Sequence, residues 1–103
     1  MLSLSMSDQK PICKASSDGT KYWYQNDKVH RVDGPAIEYT DGTKQWCLNG
    51  KYHRVDGPAY ENPNGNNSWY LNDKFCKPIE VFKAATHEQR IHLLCFYASE
   101  FLP

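Results

Sequence analysis

The sequence predicts an α+β fold: a twisted antiparallel β-meander of about two and a half 23-residue hairpin repeats, capped by a C-terminal α-helix. Three observations predict it. DGTKYWYQNDKVHRVDGPAIEYT (Asp18–Thr40) is followed at once by DGTKQWCLNGKYHRVDGPAYENP (Asp41–Pro63), and a third copy, NGNNSWYLNDKFCKP, begins at Asn64 and decays after Cys76. Trp23, Trp46 and Trp69 keep the same step, 46 − 23 = 69 − 46 = 23, and a fixed period in the twenties marks a stacked-repeat architecture. Beyond Pro78 the apolar spacing becomes helical.

These breaks divide the chain into a flexible N-terminus (1–10), a repeat sheet (11–77) and a helical cap (78–103). Pro11–Ala15 resembles the Pro35–Tyr39 part of the repeat, one residue out of step, and reads as an edge strand. Asn26-Asp27, Asn49-Gly50 and Asn72-Asp73 separate strand-like runs by two residues that tolerate positive φ, the type I′ hairpin signal. Asp18-Gly19, Asp41-Gly42 and Asn64-Gly65 supply the return turns. Pro35 and Pro58 have no N–H for a ladder bond, so the second strand of each repeat is expected to bend there.

Alternation along the strands sorts the two faces. Trp23, Trp46 and Trp69 point one way, identically in every copy, and are the expected core. Tyr22, Tyr24 and Tyr70 point the other way, with Tyr39, Tyr52 and Tyr60 as further members. The helical cap is expected to lie across the indoles. Ile79–Ala85 reads as a short helical turn, and Thr86 with Gln89 is a capping box. From Glu88, Ile91, Leu94, Cys95, Ala98 and Leu102 then follow helical spacing. Ile91 and Leu94 are the core contacts expected of this helix, while Phe96 stands apart on its polar side.

The run Asn49-Gly50-Lys51-Tyr52-His53-Arg54-Val55-Asp56-Gly57-Pro58-Ala59, with its counterpart in the first copy, resembles the MORN-type repeat (membrane occupation and recognition nexus). It is most similar to the variant found in small bacterial and bacteriophage proteins. The likeness covers Asp18 to Cys76, and it departs from the best-known form by carrying Arg31 or Arg54 in place of the glycine of a His-Gly pair. The resemblance implies an elongated twisted sheet used for protein association. It brings no catalytic residue, and membranes and phospholipids are linked only with other members.

Composition narrows the function classes. Lys plus Arg and Asp plus Glu are 12 each, so the formal net charge is zero. This argues against a nucleic-acid partner, which wants a basic face, and against attachment to an anionic membrane surface. MLSLSMSDQK lacks the basic and apolar regions of a secretion signal, so a cytoplasmic location (the host's, for a viral source) is expected, with free thiols. His30, His53 and Cys76 share one repeat position, but neighbours in that column stand about 9–10 Å apart and cannot share one zinc ion. No metal or cofactor is expected. Repetition sets like residues at separate points, whereas catalysis needs unlike residues converging on one, so no enzyme is expected.

Function is expected where the repeats disagree. Tyr22, Tyr24, Tyr52, Tyr60 and Tyr70, with Phe96, are the candidates for binding a protein partner, because tyrosine gives large contact area at low entropy. The alternatives are capture of a nucleotide-like ligand between aromatic rings and Arg31 or Arg54, or membrane-surface association, which zero net charge disfavours. Self-association has two routes, the C-terminal helix and the open sheet edges. The expected reading is a non-enzymatic binding module, a viral or bacterial effector that occludes a host or defence complex.

Overall fold

The computed structural model describes residues 10–101. All but Lys10 of the expected flexible N-terminus, and also Leu102, lie outside the described residues. The punctuation read from the sequence acts through the sign of φ. Asn26 and Asp27 sit at φ 52° and 62°, Asn49 and Gly50 at 52° and 79°, and Asn72 and Asp73 at 50° and 68°. Two successive left-handed residues make a turn whose twist matches the strands it joins. These turns close the hairpins of β2 (Lys21–Gln25) with β3 (Lys28–Val29), β6 (Cys47–Leu48) with β7 (Lys51–Tyr52), and β9 (Trp69–Leu71) with β10 (Lys74–Cys76). At the return turns the Asp18 and Asp41 carboxylates accept the backbone N–H of Thr20 and Thr43, at 3.0 and 2.9 Å.

A six-stranded antiparallel sheet runs from β1 (Ile12–Ala15) through β2, β4 (Ile37–Glu38) and β5 (Lys44–Gln45) to β8 (Tyr60–Glu61), with β3 paired beside β2. The two later hairpins continue it through a few bonds outside these strands, the Tyr60–Ser68 bridge among them. Arg31 N–H donates to Cys47 O at 3.1 Å, Gly50 N–H to Val29 O at 2.8 Å, and Asp73 N–H to Tyr52 O at 2.8 Å. The meander is therefore not one unbroken ladder. In each repeat the returning strand leaves at the histidine and rejoins at the alanine, where Trp23 N–H meets Ala36 O (2.9 Å) and Trp46 N–H meets Ala59 O (2.7 Å). Pro35 and Pro58, without donors, lie in the excursion.

Each excursion folds an arginine over the indole of its own repeat. Arg31 Cζ stands 4.0 Å from the Trp23 ring centroid, and Arg54 Cζ 3.7 Å from that of Trp46. Nε donates to Asp33 (3.1 Å) or Asp56 (2.8 Å), and Nη1 to the carbonyl of Pro35 (3.2 Å) or Pro58 (3.1 Å). Nη1 also faces Glu38 at 3.5 Å or Glu61 at 3.7 Å. Glycine leaves room for the guanidinium: a Cβ on Gly57 would lie 2.5 Å from Arg54 Cζ and force it to shift, and one on Gly34 would crowd Arg31 Cζ at 3.0 Å.

The third repeat has Lys77 where the arginine would stand (54 + 23 = 77), and the C-terminal segment covers its indole instead. Tyr97 and Phe101 meet Trp69 edge-on, with centroids 5.8 and 5.9 Å away, and Trp69 Nε1–H donates to Glu100 at 3.3 Å. Trp69, Cys76, Val81, Ala85 and Leu93 form the buried core, with Leu71, Phe82, Tyr97 and Phe101 packed against it. The expectation that the cap spans all three indoles is thus corrected. Trp69 is buried, whereas Trp23 and Trp46 are half-buried, because arginine already occupies their faces.

The cap is two helices, α1 (Pro78–Ala84) and α2 (His87–Phe96), followed by a 3-10 turn, Ala98–Phe101. Thr86 and Gln89 form the expected capping box, with Gln89 N–H donating to Thr86 Oγ1 and Thr86 N–H to Gln89 Oε1. Arg90 donates to the carbonyls of Phe82 (2.9 Å) and Lys83 (3.0 Å), satisfying the end of α1 and fixing the rotation of α2. That rotation turns Leu93 inward. Ile91 and Leu94, expected in the core, are instead 51% and 52% exposed.

Stability should therefore follow the cover on each indole. Trp69→Ala should cost about 3–5 kcal/mol by urea denaturation, as large core truncations do, and Trp23→Ala less than half of that. Gly57→Ala should push Arg54 off Trp46 and cost about 1–2 kcal/mol by overpacking, more than Gly34→Ala, with a shift in tryptophan emission.

Candidate functional site

The two faces of the sheet differ in chemistry because strand pairing puts like with like. On the tryptophan face the paired registers give Lys21, Glu38, Lys44 and Glu61, an alternating ladder of charge. On the other face Ile12 pairs Tyr24, Lys14 and Ile37 flank Tyr22, and Gln45 lies between Ile37 and Tyr60. Further along, Cys47 pairs Tyr52 and Tyr70 pairs Phe75. Lys14 is the one charged residue among these paired positions.

Tyr22, Tyr24, Tyr52, Tyr60 and Tyr70 are brought to this one face, as alternation predicted. Their rings pack laterally. Tyr22 and Tyr24 stack at 6.1 Å, Tyr52 and Tyr70 meet at 5.2 Å, and Tyr70 meets Phe75 edge-on at 5.7 Å. Each tyrosine is half-buried, while Phe75 and Ile12 are exposed. The helical cap packs on Trp69 and so lies against the opposite face. Burial raises the Tyr39 and Tyr52 hydroxyls above their usual value and lifts the Cys47 thiol to about 11, so these groups stay neutral near pH 7. Phe96, 70% exposed on α2, is not part of this surface and stacks only with His92 at 4.6 Å.

The tryptophan face carries a cleft of about 440 Å³ between the two excursions, lined by Arg31, Val32, Trp46, Leu48, His53, Arg54 and the edge of α2 at Gln89. Arg31 and Arg54 are therefore brought to one cavity. Each is already matched by two carboxylates, Asp33 and Glu38 for one, Asp56 and Glu61 for the other. Both guanidiniums are thus neutralised by their own carboxylates, which leaves no uncompensated cation for a phosphate.

His30 and His53 hold the turns. Nδ1 of His30 accepts the N–H of Asn49 at 2.9 Å, and Nδ1 of His53 accepts that of Asn72 at 3.1 Å. Both imidazoles thus accept backbone amides, and among the described residues no group of three or more His, Cys, Asp and Glu side chains is placed to hold a metal ion. No helix among them is long and apolar enough to cross a membrane.

Sequence reasoning missed four contributors. Phe75 and Ile37 belong to the tyrosine face through cross-strand pairing, which one strand's alternation does not reveal. The arginine lids were signalled by their recurrence with tryptophan and by the switch to Lys77, where the cap takes over. Tyr97 lies outside the helical spacing that runs through Ile91, Leu94, Cys95 and Ala98, yet it reaches Arg54, Glu61 and Trp69 together. No protein-family model, curated protein or solved structure matches this chain.

Two measurements test this geometry. Burial holds the His53 imidazole below its ordinary 6.5, so the unfolded chain binds the proton first as pH falls. The urea midpoint should therefore be highest above pH 6.5 and decline as pH drops through the lower folded value, and His53→Gln should flatten that decline. A thiol reagent at neutral pH should label the exposed Cys13 and Cys95 rapidly, and the buried Cys47 and Cys76 only on unfolding.

Proposed function

We propose that this chain is a non-enzymatic protein-binding module whose tyrosine face docks on a flat, charge-poor surface of a partner protein. The observation that carries the reading is the concentration of Tyr22, Tyr24, Tyr52, Tyr60 and Tyr70 on one face with Lys14 as its single paired charge. Protein interfaces are depleted of charge at their centres and enriched in tyrosine, while a nucleic-acid surface would need cations the face lacks. The rings are held against each other before binding, so little side-chain freedom remains to be lost on contact. On this reading the module acts in the cytoplasm by occlusion. The resemblance of the His-Arg-Val-Asp-Gly-Pro-Ala run to repeats of small bacterial and bacteriophage proteins, read from the sequence, supports a host or defence complex as its target.

Affinity capture with the intact chain should recover one partner in fixed stoichiometry, and Tyr24→Ser with Tyr70→Ser should abolish recovery while the urea midpoint changes little. Equal recovery by the double variant would exclude the tyrosine face. Sedimentation of the purified chain separates a foreign partner from a second copy.

A further inference from the structure

The repeat makes two related sites, and the chain itself fills only one of them; at the other, the Trp46 ring face already carries Arg54. Between the second excursion and the third indole sits Tyr97. Its ring lies 5.7 Å from Arg54 Cζ and 5.8 Å from the Trp69 ring, and its hydroxyl donates to Glu61 Oε2 at 2.8 Å. Glu100, three residues on, accepts Trp69 Nε1–H at 3.3 Å, and Phe101 closes on the same indole. Subtracting one period of 23 from Arg54, Glu61 and Trp69 gives Arg31, Glu38 and Trp46. There Arg31 and Trp46 line the cleft of about 440 Å³, which no segment of the described chain occupies.

We infer that this cleft is a peptide-binding site for a partner segment carrying tyrosine with an acid three residues later and an aromatic beside it, in a tight helical turn. The site's chemistry follows from the filled copy. A tyrosine ring enters between Arg31 and the part of Trp46 that lines the cleft beside the Arg54 lid, its hydroxyl bonds to Glu38, and the acid takes the Trp46 indole N–H. Glu38 meets Arg31 Nη1 through Oε2 at 3.5 Å, as Glu61 meets Arg54 through Oε1 while using its other oxygen for Tyr97. Arg31 is 23% exposed against 9% for Arg54, the difference that a missing ring over the guanidinium produces. Val32, 80% exposed at the lip, supplies apolar surface for the second aromatic. The site lies on the face opposite the tyrosines and stands or falls apart from them.

The probe is the acetylated, amidated pentapeptide Tyr-Ala-Ser-Glu-Phe, the sequence of residues 97–101. Added to the 15N-labelled full chain, it should shift the Trp46 indole N–H resonance, assigned with Trp46→Phe, saturably and with a Kd of roughly 0.1–1 mM for so short and flexible a ligand. Replacing the peptide's tyrosine by alanine should weaken binding about tenfold, and Glu38→Gln in the protein about fivefold, by loss of a charge-assisted bond. Tyr24→Ser should leave the titration unchanged. A silent Trp46 signal at 10-fold higher peptide, equal binding by the alanine peptide, or shifts confined to Trp69 as the added peptide displaces the chain's own segment would each overturn the inference.

Discussion

The fold depends on a guanidinium lying flat on an indole. A small sheet with helices at one end leaves two of its three tryptophans without a second layer, and a bare indole face is costly surface to leave in water. Arginine solves this locally, being apolar enough to cover a ring and polar enough to face solvent itself. Its position is over-determined by a carboxylate two residues on, a proline carbonyl four residues on and a glutamate seven residues on. The conformation that carries the arginine there is the excursion itself. The break in the β-ladder at His-Arg-Val-Asp-Gly-Pro is thus the means by which each repeat builds its own small core.

Two surfaces of opposite character result. Because lids, carboxylates and the lysine–glutamate ladder all occupy the tryptophan side, the other side is left to tyrosine. Its rings shield one another sideways, which explains how they are half-buried without an element on top. Cys47, in a column otherwise held by Tyr24 and Tyr70, is buried opposite its pairing partner Tyr52, whose ring leans on Tyr70.

Much of this was legible in the sequence, where repetition amplifies weak signals. Three copies of Asn followed by Asp or Gly fixed the hairpins, two of His-Arg-x-Asp-Gly-Pro marked the bend, and alternation separated tyrosine from tryptophan. What was not legible depends on contacts that leave no periodic trace. The last helix carries Ile91, Leu93, Leu94, Cys95 and Phe96, spread too widely around its axis to reveal which edge faces inward. Arg90 makes that choice by bonding to the end of α1, turning Leu93 toward Trp69 and Ile91 and Leu94 to solvent. A cation covering an indole is equally hard to anticipate from hydrophobic pattern, since it enters that pattern as a polar residue.

Because every complete unit brings its own lid, turn and strand pair, the sheet has no built-in length. Another 23-residue segment placed at the junction of Thr40 and Asp41 would find its edge partners and cover its own ring without help from the tail. Only the last indole, where lysine has replaced arginine, needs the terminal helices. The helical end is therefore the stop signal of an otherwise extensible array, and the reach of such a molecule is a matter of how many units precede it.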